Sequence, residues 1–160
     1  MQDLKKEYKR LVNSKEFKHK GFLSGAFIMS DIKSLDKSKW QIDFYNKKEN
    51  KITTYLMDEK IEVTDNSEVF KEENAEIKEL DIEEIKENLE EALKLGKEFL
   101  EKEKETPIKV VIILQKEDSA VWNLSYITEK FNLINIKIDA VDGKLLKETT
   151  APLLSFKKDN

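Results

Sequence analysis

Two stretches of this chain, 82 residues apart, carry one pattern, W-x-[IL]-x-[FY]-x3-K-x-N-x-I. Trp40, Ile42, Phe44, Lys48, Asn50 and Ile52 match Trp122, Leu124, Tyr126, Lys130, Asn132 and Ile134, and four of the six are identities. Large apolar residues at every second position define a strand with one buried face. A chain that carries the pattern twice must therefore bury two such faces.

The pattern in the second half is preceded by a helical one. Ile82, Ile85, Leu89, Ala92, Gly96 and Phe99 form a single stripe at spacings of three and four, widened by Leu93 and Leu100, which predicts an amphipathic helix over 81–104. Asp81 with Glu84 reads as a capping box, and Pro107 ends the element. Gly96 on the stripe predicts close approach of the helix backbone to another layer. After Pro107 the period falls to two. Ile108–Leu114, the Trp122 run, Ile134–Ala140 and a last strand over 144–149 make four strands, with Val141-Asp142-Gly143-Lys144 as a two-residue type I′ hairpin.

The first half reads the same way. A helix with Leu4, Tyr8, Leu11 and Val12 precedes strands near Phe22–Met29, at Trp40, over Ile52–Met57 and over Ile61–Val63. The expected architecture is α+β: two tandem units of one helix and a four-stranded antiparallel sheet, at 1–65 and 81–150. An acidic linker at 66–80 joins them, and 151–160 forms a C-terminal tail. Gly25 reads as a bulge or a close crossing within its strand.

The residues Glu91-Ala92 and Gly96, the strand after Pro107, Trp122-Asn123-Leu124-Ser125-Tyr126 and above all Ile138-Asp139-Ala140-Val141-Asp142-Gly143-Lys144-Leu145-Leu146 resemble the PepSY domain family. The resemblance covers residues 82–148, and residues 1–65 would be a divergent second copy. It implies a small cystatin-like α+β module without catalysis, regulating a peptidase or acting as an interaction domain of the cell envelope. It also implies an extracytoplasmic location reached by a signal or lipid anchor outside these 160 residues, whereas the residues alone read as cytoplasmic.

Composition narrows the chemistry. There is no Cys, which removes disulfides, thiolate nucleophiles and Cys-based metal sites. The single His19 stands in a Lys-rich segment, no EF-hand loop occurs, and neither G-x-G-x-x-G nor G-x4-G-K-[ST] is present. The expectation is no metal, no cofactor and no enzymatic activity. Residues 1–20 carry a local charge of +4, but 62–105 hold 17 acids against 7 bases. Phosphates are repelled by such a surface, so nucleic acid is not an expected partner. No run approaches the roughly 18 apolar residues of a membrane helix.

The expected partner is a protein or peptide, with a peptidase among the candidates. The contact candidates are Trp40, Trp122 and Tyr126, which either pack the sheet against its helix or edge a concave binding surface, and Asp43, Tyr45 and Tyr55, read as projecting from the opposite face. Two further readings stand beside this one. One is a carrier with an apolar cavity between helix and sheet; the other is a hydrolase or isomerase working with carboxylates and tyrosines alone.

Overall fold

The expected strands form, but they do not divide into two sheets. The computed structural model describes residues 1–66 and 76–154. Its elements are helix α1 (Leu4–Val12), strand β1 (Phe22–Asp31), the 3-10 turn η1 (Ile32–Lys37), β2 (Gln41–Asn46), β3 (Lys51–Met57) and β4 (Ile61–Asn66). There follow the 3-10 turn η2 (Ile82–Glu84), α2 (Leu89–Lys102), β5 (Pro107–Lys116), β6 (Ala120–Thr128), β7 (Asn132–Asp139) and β8 (Leu145–Pro152). All eight strands lie in one antiparallel sheet of order β4-β3-β2-β1-β5-β6-β7-β8.

This overturns the expectation of two tandem four-stranded units. The seam is β1 against β5, antiparallel from Gly25 opposite Gln115 to Asp31 opposite Lys109. In two separate units both strands would be edges with unpaired backbone groups; joined, each satisfies the other and only β4 and β8 remain as edges. One core follows from one sheet. Trp40 and Trp122 lie within it with ring centroids 6.1 Å apart, and a single cluster runs from Leu4 and Leu11 of α1, through Ile42, Ile112 and Leu124, to Leu89 and Leu100 of α2. Both helices lie on this inner face. The tryptophan positions thus mark two places in one shared core, and each indole tethers the segment leading into a helix: Trp40 Nε1 donates to the Gln2 carbonyl at 2.9 Å, and Trp122 Nε1 to that of Glu87 at 2.8 Å.

The second helix is shorter than expected. Asp81 caps only η2, accepting from the Glu83 amide at 2.9 Å, and α2 begins after Asn88, whose side chain accepts from the Glu91 amide at 3.0 Å. The chain between them cannot be helical, because the amides of Lys86 and Glu87 both donate to the carbonyl of Ala140. That bond fastens the approach to α2 onto the loop after β7. The loop itself is not the expected type I′ turn: Gly143 has a φ of +78° but Asp142 has no positive φ. Instead the Asp139 carboxylate accepts from the Val141 amide at 2.7 Å and the Ser119 hydroxyl at 2.6 Å, closing a longer loop. Burial pushes the Asp139 carboxyl up, but these donors outweigh it and leave the group below its usual range.

Helix α2 ends in a Schellman arrangement. The Lys104 amide donates to the Glu101 carbonyl at 3.1 Å and that of Glu105 to Leu100 at 2.9 Å, with Lys104 at a φ of +56°. Glycine is the residue favoured there, since a side chain costs about 1 kcal/mol in the left-handed region. Lys104→Gly is expected to stabilise the protein by about 0.5–1 kcal/mol, read as a higher urea midpoint at unchanged slope; an unchanged or lower midpoint would count against the cap.

The expected linker falls largely outside the described residues, as do residues 155–160 of the expected tail. Where the chain is described again, Ile77 lies with Asp43, Ile52 and Ile113 on the outer side of the sheet. Leu80 then donates its amide to the Leu23 carbonyl at 2.8 Å and is itself buried in the inner core. Residues 76–82 therefore pass from one face to the other beside the start of β1. At the far end β8 extends to Pro152, so Ala151 and Pro152 are strand.

Candidate functional site

The six contact candidates are split by the sheet. Trp40, Tyr55, Trp122 and Tyr126 are buried on the inner face beneath the helices, and Asp43 and Tyr45 lie on the outer face. The placement of Tyr55 corrects the expectation that it shares a face with Asp43 and Tyr45. Its cross-strand partner is Ile42, so it points inward, where it packs on Phe17 and Phe44 and its hydroxyl accepts from the Lys18 amide at 3.0 Å. Burial raises its pKa. Tyr55 is a core residue rather than a contact.

On the outer face, Tyr45 is also buried. Its ring meets Phe22 edge-on at 5.8 Å, its hydroxyl donates to Asn50 Oδ1 at 2.6 Å, and residues 76–79 close over it. Asp43 sits at the floor of a shallow depression of about 260 Å³ shared with Phe27, Ile77 and Ile113. Burial pushes its carboxyl above the usual range, offset in part by the Thr54 hydroxyl, which donates to it at 2.7 Å.

Beyond residues 76–79, no described element covers the outer face. Its composition changes from strand to strand. On β1 and β5 the outward positions are Phe27, Met29, Val111 and Ile113, paired as Phe27 with Ile113 and Met29 with Val111. Met29 is 70% exposed. On β6 and β7 the outward positions beside that patch are the polar Asn123, Ser125, Asn135 and Lys137, with the apolar Val121, Ile127 and Leu133 toward the strand ends, and Asn135 donates to Asn123 Oδ1 at 2.6 Å and lies 3.0 Å from the Ser125 hydroxyl. At the end of the apolar patch lies the exposed Asp31–Lys109 ion pair. The outer face therefore has an apolar middle bordered by polar groups that are already paired.

The inner side holds a second feature, whose place the sequence marks only faintly. Where η1 turns back toward α2, a cleft of about 360 Å³ opens between Ile32, Leu35, Leu93, Leu100 and Pro107, with Tyr126 in its wall. The Tyr126 ring passes directly under Gly96: a Cβ on Gly96 would lie 2.5 Å from the Tyr126 hydroxyl. Gly96 thus permits the close approach expected of it. The signal for the cleft was faint, since η1 lies in a polar run, Ile32-Lys-Ser-Leu35-Asp-Lys, with only two apolar residues to mark it.

Comparison with solved structures finds one fold shared over nearly the whole chain. It is that of a protein described as a putative lipoprotein from Clostridium difficile 630. The match has a TM-score of 0.58 at 17% identity and covers 90% of this chain and 92% of that one. No family model matches the sequence, and no curated protein does. The likeness therefore speaks to the fold, and it extends across both halves of the sheet.

Among the described residues no group of His, Asp or Glu is arranged to hold a metal ion. No described helix is long and apolar enough to cross a membrane.

Proposed function

We propose that this chain is a non-catalytic binding module that engages a protein partner through the uncovered face of its sheet. The observation that carries the reading is the apolar patch of Phe27, Met29, Val111 and Ile113 on two central strands, with Met29 70% exposed. An apolar patch inside a polar rim is the usual composition of the centre of a protein interface. The bordering asparagines and the Asp31–Lys109 pair supply that rim. The resemblance of residues 82–148 to the PepSY family makes a peptidase the first class of partner to test. A cell-envelope setting belongs to the same proposal: the resemblance implies it, and the fold neighbour is described as a putative lipoprotein.

Met29→Asp tests the site without threatening the fold, because the side chain is mostly in solvent. Partners captured from envelope and cytosolic extracts by the wild type are expected to bind the variant at least tenfold more weakly, a loss of about 1.4 kcal/mol or more. Lys147→Glu on the far edge strand should leave binding unchanged. A partner held equally by both variants would remove this face from the function.

A further inference from the structure

We propose that the cleft between α2 and η1 is a binding site for a small uncharged amphiphile, whose apolar body fills the cleft and whose acceptor oxygen is hydrogen-bonded by the Tyr126 hydroxyl. The cleft opens on the opposite side of the sheet from the docking face, so the two proposals are independent. Three observations carry it.

The first is shape and lining. About 360 Å³ bounded by Ile32, Leu35, Leu93, Leu100 and Pro107 lies in the range of small-molecule sites, which are mostly apolar with a few placed polar groups. The second is Tyr126 itself. The residue is 3% exposed, and no described protein group hydrogen-bonds its hydroxyl. The hydroxyl itself is not sealed from solvent, because the buried side-chain atoms without a partner among the described residues are Arg10 Nε and Glu105 Oε2, so it is a donor open to a bound molecule. Tyr126 lines the cleft, and a ligand oxygen there would pair with its hydroxyl. Burial also pushes the Tyr126 pKa up to about 12, so the phenol stays protonated and acts as a donor throughout the physiological range.

The third observation selects charge. The rim holds Glu101 and Glu105 against a single Lys97, and the surrounding stretch is strongly acidic. A carboxylate headgroup is repelled there. The Glu105 carboxyl, whose Oε1 accepts from Asn132 Nδ2 at 2.6 Å, is held below its usual range by the Thr128 hydroxyl beside it and stays ionised, so the rim is negative, while an ammonium headgroup brings no acceptor for the Tyr126 donor. An uncharged oxygen, as in a ketone, ester or alcohol, fits both the rim and the donor.

Prodan, a neutral naphthalene ketone whose emission reports both the polarity around it and hydrogen bonding to its carbonyl, tests the proposal directly. The wild type is expected to bind one equivalent with blue-shifted emission. Tyr126→Phe should bind about five- to tenfold more weakly, with emission shifted further to the blue because the carbonyl has lost its donor. Leu35→Trp, which fills the cleft from a half-exposed position on η1, should abolish binding while far-UV circular dichroism remains native. Decanol should displace the probe and decanoate should not. Absence of binding, equal binding by Leu35→Trp, or unchanged affinity and emission in Tyr126→Phe would each overturn the assignment. Equal displacement by decanoate would overturn the choice of an uncharged ligand.

Discussion

Trp122→Ala is expected to lower the stability of the entire chain by about 3–5 kcal/mol, the usual cost of removing a large aromatic from a packed core. For a domain of this length that corresponds to a fall in Tm on the order of 10 °C. Two losses combine. The indole fills the space between β6, Trp40 and the start of α2, and its Nε1 holds the Glu87 carbonyl in the stretch that also docks onto Ala140. Trp122→Phe retains part of the first and loses the second, so it should cost about 1–3 kcal/mol. The same variant tests the single-sheet architecture, because Trp40 becomes its sole tryptophan and its fluorescence reports the first half of the chain. Unfolding followed by Trp40 fluorescence and by far-UV circular dichroism should coincide. Two separated transitions would show that the halves fold independently and would contradict the shared core.

That shared core was partly written in the sequence. Strands of a one-sided sheet alternate apolar and polar residues, whereas β1 and β5 are apolar on both sides: Ala26 and Ile28 alternate with Phe27 and Met29, and Val110, Ile112 and Leu114 with Val111 and Ile113. Two-sided apolar strands belong in the middle of a sheet. The final strand, with Lys147, Glu148, Thr149 and Thr150, has the polar character of an edge. Read as a set, these compositions place β1 and β5 centrally. What local pattern does not contain is the pairing itself, which joins residues 78 to 90 positions apart.

The faces of the candidate residues show the same division between local and non-local information. Trp122, Leu124 and Tyr126 announce their face because their neighbours Asn123 and Ser125 are polar. Strand β3 does not, because Ile52 and Leu56 fall on one side and Tyr55 and Met57 on the other. Only the register, with Ile42 opposite Tyr55, assigns Tyr55 to the core. The start of α2 failed for a related reason: the helical spacing of Ile82, Ile85 and Leu89 is genuine, but the carbonyl of Ala140 takes the Lys86 and Glu87 amides, and a tertiary bond overrides the local period.

Gly21→Ala is expected to destabilise by about 2–4 kcal/mol, more than its exposed position before β1 would suggest. Two independent penalties meet at this residue. Its φ of +76° is a conformation in which an L side chain costs roughly 1–2 kcal/mol. A Cβ there would also stand 2.2 Å from the Tyr45 carbonyl oxygen and 2.9 Å from the Asn46 amide nitrogen. Both are backbone atoms of β2, held by pairing to β3, so neither yields as a flexible side chain would. Relief requires the first pair of the β1–β2 ladder, Phe22 with Tyr45, to separate, and their edge-on ring contact goes with it. Gly25→Ala supplies the comparison. Its φ is not positive, and its Cβ would meet a single backbone atom, the Leu114 carbonyl oxygen, at 2.9 Å. Its loss should therefore be smaller, about 1–2 kcal/mol. Urea midpoints for the two variants should fall in that order, with Gly21→Ala the lower. The reverse order would mean that contact at the β1–β5 seam, rather than the left-handed turn into β1, sets the tolerance of this sheet.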